Sequence, residues 1–165
     1  MTDRLQDLRQ RLDAAGKQLR ETPATGGGVY GAPDPETGER WNAGNVLGHV
    51  AELLPFWTDQ ARAVLAGGSE LGRGVEGYER RKAGIETGTK LDEARLREQV
   101  EIGLMQARSL LDGMALSDLD RRVMYRTRRG DREGTLGQFL DELIVGHLEA
   151  HARQLAELGA SKEQS

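Results

Sequence analysis

Residues 135–158, TLGQFLDELIVGHLEAHARQLAEL, decide how this chain is read. Thr135 and Gln138 stand at capping-box spacing: the hydroxyl can accept the amide three residues on, and the Gln side chain can reach back. From there Leu136, Leu140, Leu143, His147, His151, Gln154 and Leu158 fall within roughly 80° of one another at about 100° per residue. This predicts an amphipathic helix whose core-facing stripe carries two histidines in its middle. At i and i+4 their Cβ atoms are ~6 Å apart, so both imidazoles can reach one point.

Working outward, the same period appears three more times. Leu5, Leu8, Leu12, Ala15 and Leu19 predict a helix over 2–21 that stops before Pro23 and the run Gly26, Gly27, Gly28. VYGAPDPETGER, residues 29–40, reads as a long connection. Val46, Val50, Leu53, Trp57 and Val64 predict a second helix over 42–66, with Trp41, Phe56 and Trp57 as core or staple residues. Leu96, Val100, Leu104, Ala107, Leu111 and Met114 predict a third, opened by Thr89 and Asp92 at capping-box spacing and ending near Gly113. Residues 67–88 hold glycines at 67, 68, 72, 74, 77, 84 and 88 and read as an irregular crossover. In 117–134 apolar and polar residues alternate around Val123, Tyr125 and Thr127, which predicts a loop or short hairpin turning at Gly130. The expected fold is all-α, one four-helix domain over 1–165 with long crossovers and frayed residues 161–165.

Composition narrows the function. A chain of 165 residues can bury a core without cross-links, and with no cysteine it has neither a disulfide framework nor a thiolate metal site. That suits a reducing cytoplasm. The start has no apolar stretch of signal-peptide length, and no run is long enough to span a bilayer, so neither export nor a membrane is expected. A net charge of -4 argues against a nucleic-acid partner.

His49, His147 and His151 are the only histidines. His49 lies roughly 60° off the centre of the second helix's stripe, from where it too can point inward. A buried imidazole requires hydrogen bonds or a metal bond to offset its desolvation. Three neutral imidazoles from two helices make a nitrogen site for Zn²⁺, Ni²⁺ or Fe²⁺ with at least one position open; the alternative is a set of core histidines hydrogen-bonded to neighbouring helices. Gln154 lies on the histidine face, where it could hydrogen-bond a ligand imidazole or cap a buried polar network. Glu52 points about 120° from its helix's stripe, the direction of an exposed residue or of one behind a ligand. Arg121, Arg122, Arg126, Arg128, Arg129 and Arg132 form a basic run that could draw in an anionic thiol or a carboxylated substrate. Interleaved with Asp118, Asp120, Asp131 and Glu133, they read more simply as a solvated hairpin. Tyr125 is a candidate for a pocket mouth.

Two segments, WNAGNVLGHVAELLPFW at 41–57 and GTLGQFLDELIVGHLEAHARQL at 134–155, resemble the DinB-like superfamily of metal-dependent enzymes. That group includes YfiT-like proteins and the N-terminal domain of the mycothiol-dependent maleylpyruvate isomerase. The first segment is similar to the family's tryptophan-started helix with its histidine, the second to its last helix with a His-x3-His pair. The resemblance implies an up-down-down-up four-helix bundle, often a homodimer, with His49, His147 and His151 as metal ligands and zinc or nickel as the usual occupant. It also implies chemistry on a small electrophile, by transfer of a low-molecular-weight thiol or by hydrolysis. A non-catalytic metal-binding, sensor or dimerisation bundle is the alternative. No catalytic acid or base stands out.

Overall fold

The computed structural model describes residues 3–24 and 29–163, with side chains described as far as residue 160. The glycine stop expected at Gly26, Gly27 and Gly28 lies outside the described residues. Helix α1 (Arg4–Glu21) starts on Asp3, whose carboxylate accepts the Gln6 amide, and ends at Thr22 just before Pro23. Helix α2 (Ala43–Leu65) opens on a reciprocal cap between Asn42 and Asn45, at 3.0 and 2.9 Å. Helix α4 (Glu93–Asp112) is capped by Asp92 alone, which accepts the Arg95 amide at 2.8 Å. Thr89, expected to cap it, instead donates its hydroxyl to the Glu86 carbonyl.

The glycine-rich stretch 67–88 is not an irregular crossover. It contains strand β1 (Glu70–Gly72) and helix α3 (Gly74–Thr87). Gly44 and Gly48 on α2 meet Gly88 and Gly84: a methyl group at Gly48 would overlap the Gly84 carbonyl. The helix-weakening glycines are therefore where two backbones touch, and tertiary packing overrides their poor propensity.

The fold is broadly all-α as expected, and the expected hairpin is part of a small three-stranded sheet. Strand β2 (Arg122–Arg126) runs parallel to β1, pairing Leu71 with Tyr125, and antiparallel to β3 (Arg132–Thr135), pairing Met124 with Glu133. The hairpin turns as expected at Gly130, whose φ of 122° favours glycine. Tyr125 packs its ring at 5.9 Å from Trp57 and 5.3 Å from Phe139, so it is a wall between sheet and core and not a pocket mouth.

The fourth amphipathic stretch is interrupted. Thr135 and Gln138 form the expected capping box and open helix α5 (Leu136–Leu140), but Asp141–Val145 is a π turn leading into α6 (Gly146–Glu163). A π turn takes one more residue than an α turn and so rotates everything after it. Val145, Leu148, Ala152 and Leu155, each fully buried, make the core stripe of α6. His147 and His151 sit at its flank, whereas His49, 1% exposed, is the most enclosed of the three; the expected order of centre and flank is reversed. Helix α6 also runs beyond the Leu158 expected from the sequence; its backbone is helical through Glu163, and Gln164 and Ser165 lie outside the described residues.

The chain is mostly helical, with that small sheet at one side. Helices α1, α2, α4 and α6 pack around one apolar core, α2 against α4 and α6, α1 against α4 and α6, and α3 covers a second face of α2. Among the described residues no helix is long and apolar enough to cross a membrane.

Candidate metal centre

His49 from the middle of α2 and His147 and His151 from the start of α6 converge on one point. One ring nitrogen from each can be chosen so that all three lie within 4.8 Å of one another, and no other such group of three or more His, Cys, Asp or Glu occurs among the described residues. Ring centroids are 4.7 Å apart for His147 and His151, 4.9 Å for His49 and His151, and 5.3 Å for His49 and His147.

Each ring is held differently. Gln154, one turn on, accepts a hydrogen bond from His151 Nδ1 at 2.8 Å, which leaves His151 Nε2 as the lone-pair nitrogen. That Nε2 is buried without a partner, and so is His49 Nδ1. The Leu143 backbone, within the π turn, favours the protonated form of His147 and so opposes the effect of its burial. All three are driven toward the neutral form. Burial lowers His49 well below its usual value, with its two histidine neighbours adding to the effect. Burial, then His151, brings His147 to about 3, and burial lowers His151 against the opposing pull of Gln154. Neutral imidazoles with unpartnered lone pairs are what a cation needs and what a plain hydrogen-bonded core lacks.

The residue behind His49 is Glu52, and its side chain is largely enclosed, 9% exposed. Gly44, Gly48, Glu52 and Phe56 recur every four residues on the face of α2 that α3 covers, so a direction that looked like solvent points into a second interface. Both Glu52 oxygens accept from Arg73, at 2.7 and 2.9 Å, and Oε2 lies 3.9 Å from His49 Nδ1, too far for a hydrogen bond. Arg73 is in turn fixed by the Gly77 carbonyl and by the faces of Phe56 and Trp57.

A cavity of about 360 Å³ opens on the triad. Its walls are the three histidines, Gln154, Trp41, Arg81 and the connection from Ala32 to Glu39. Trp41 stacks on His151 at 5.5 Å and 18° and meets His49 edge-on at 5.0 Å, so it lines the site as well as the core. Arg81 and Glu39 were missed by the sequence reading. The steps of four through Gly77, Arg81 and Ile85 would have placed Arg81 on the inner face of a helix, had 74–87 been read as one.

The basic hairpin does not take part. Arg121 pairs with Asp118, Arg122 with Glu133, Arg126 with Glu70 and Asp131, Arg129 with Glu36 and Arg132 with Glu142, while Arg128 lies over the Tyr78 ring. It is a surface of mixed ion pairs.

No curated protein and no solved structure matches the chain. The family model described as the DinB superfamily matches residues 1–155, a span that includes His49, His147 and His151. With nearly the whole chain covered, this protein belongs to the DinB superfamily.

Proposed function

We propose that the chain is a metal-dependent enzyme in which His49, His147 and His151 are three nitrogen ligands to one divalent ion, zinc or nickel, acting on a small electrophile. The observation that carries the reading is His151 Nε2: a buried lone pair with no protein partner, its other nitrogen committed to Gln154, facing two more neutral imidazoles. An ion held there would supply Lewis acidity and at least one open position.

The chain's own residues do the rest. Gln154 orients His151, Trp41 packs against His151 and His49, and the Glu52–Arg73 pair stands behind His49. With no cysteine in the sequence, a sulfur nucleophile has to arrive with a low-molecular-weight thiol cosubstrate. In thiol transfer the sulfur bonds to the electrophilic carbon, the bond from that carbon to its leaving group breaks with the pair going to the leaving group, and the thiol proton passes to solvent; in hydrolysis water replaces the thiol and the same bond breaks. Other elements of the proposal are a cytoplasmic homodimer, a small-molecule substrate, no nucleic-acid or membrane partner, and an up-down-down-up order of the four long helices.

A non-catalytic metal-binding, sensor or dimerisation bundle predicts a triad sealed from solvent, and the 360 Å³ cavity speaks against it. The test is cobalt substitution with elemental analysis. We expect one Co²⁺ per chain with visible d–d absorption, lost in His147→Ala. A colourless, metal-free wild type, or an unchanged spectrum in the variant, would overturn the reading.

A further inference from the structure

Two charged residues in the wall of the histidine cavity have no role in the reading above. Arg81 reaches in from α3 and Glu39 from the connection before α2, and they meet in a two-point pair, Nη1 to Oε1 at 3.3 Å and Nη2 to Oε2 at 3.0 Å. We propose that Arg81 is the receptor for a carboxylate of the substrate, and that Glu39 occupies that receptor until the substrate displaces it. The substrate class is then a small carboxylic acid whose other end reaches the histidines. The inference rests on the three-histidine reading only for that other end.

Three observations support it. The first is position: the Arg81 guanidinium carbon is 5.7 Å from the Trp41 ring centroid, and that same ring lies 5.0 Å from His49 and 5.5 Å from His151. One small molecule lying along the indole can therefore touch both ends. The second is contrast with Arg73, the other guanidinium near the triad. Arg73 and Glu52 are 5% and 9% exposed, and Arg73 is also bound to a backbone carbonyl, so it has nothing to offer a ligand. Arg81 and Glu39 are 28% and 37% exposed at the cavity wall. A solvent-reached pair of this kind adds little net stability, so one carboxylate can replace another at small cost, and the planar fork already fits two oxygens.

The third is that Glu39 can leave without unmaking the connection. Its turn is held by the Asp34 carboxylate, which accepts the Glu36 and Thr37 amides at 2.8 Å, and by Gly31 N–H to the Trp41 carbonyl at 2.9 Å. The Thr37 hydroxyl, 3.2 Å from Glu39 Oε2, remains as a donor for the displaced carboxylate.

The experiment uses the full chain and two probes that differ only at the far end, 3-mercaptopropionate and 3-mercaptopropanol. Each is titrated into the Co²⁺-loaded protein and read by the sulfur-to-cobalt charge-transfer band. We expect the acid to bind roughly tenfold or more tightly than the alcohol, as a two-point charged contact should. Arg81→Gln should bring the two affinities together, and Glu39→Gln, which frees the guanidinium, should tighten the acid severalfold and leave the alcohol alone. The alcohol is the control for a damaged fold. In parallel, glutarate is titrated into metal-free protein and followed by tryptophan fluorescence, with a response expected in wild type and absent in Arg81→Gln. That arm keeps the two readings apart: cobalt failing to bind would sink the metal site and leave the carboxylate receptor standing on the glutarate response. Equal affinities for acid and alcohol in wild type, a preference that survives Arg81→Gln, no tightening in Glu39→Gln, or a glutarate response that is missing in wild type or persists in Arg81→Gln would each overturn the proposal.

Discussion

Gln154 accepts from His151 Nδ1 at 2.8 Å, and this one bond decides which nitrogen of the ring is left for a ligand. Outer groups of this kind typically account for about 10–100-fold in metal affinity when they are removed. Gln154→Leu keeps the volume and loses the acceptor. We expect metal affinity to fall within that range with helix content unchanged, measured by competition against a chromophoric chelator; an unaltered affinity would mean that His151 is oriented by Trp41 stacking alone. His147, His151 and Gln154 were legible in the sequence because steps of four and three on a helix translate into adjacency, whereas His49, on another helix, joined them through its inward direction and the family resemblance. The burial of Glu52 was left open and Arg81 unseen for the opposite reason. Their surroundings are made by a helix that the glycine content concealed.

At the scale of elements, the contact between α2 and α3 holds the site's second wall in place. Gly48 is next to His49 in sequence, and its backbone lies against Gly84 with no room for a methyl group. On helix propensity alone, Gly48→Ala should stabilise by up to about 1 kcal/mol. The overlap should outweigh that, and overpacking of this sort costs about 1–3 kcal/mol. Urea denaturation should therefore show a net loss; a gain would mean that α3 can move away freely. Four amphipathic stretches, the Thr135–Gln138 cap and the Gly130 turn were readable from period and turn chemistry. Strand β1 was not, since a three-residue parallel pairing to β2 depends on a partner far along the chain. Nor was the π turn at Asp141–Val145, because the apolar residues Leu143, Ile144 and Val145 satisfy either winding. Only the burial of Val145, Leu148, Ala152 and Leu155 shows that the helix has been turned past the histidines.

For the whole molecule, the three lowered histidines link folding to pH. The unfolded chain takes up protons near the ordinary histidine value of about 6.5, while the folded chain resists, His147 down to about 3. Protonation thus favours the unfolded state. The stability held by the neutral triad is complete above about 6.5 and is lost progressively as pH falls below it. For metal-free protein we expect a lower urea midpoint at pH 5 than at pH 7, a window above most carboxylate titrations. Coincident midpoints would show that the imidazoles protonate in place. One feature of the site also bears on how the chain is held together. His49 belongs to α2 and His147 to α6, with α3, the sheet and α4 strung between them. An ion shared by those two residues closes a loop through most of the protein, and ring closure restricts an unfolded chain by an amount that grows only slowly with loop length. In a sequence without cysteine, the proposed ion would act as a cross-link that forms late, after the ends of the loop have met, and that a chelator can undo.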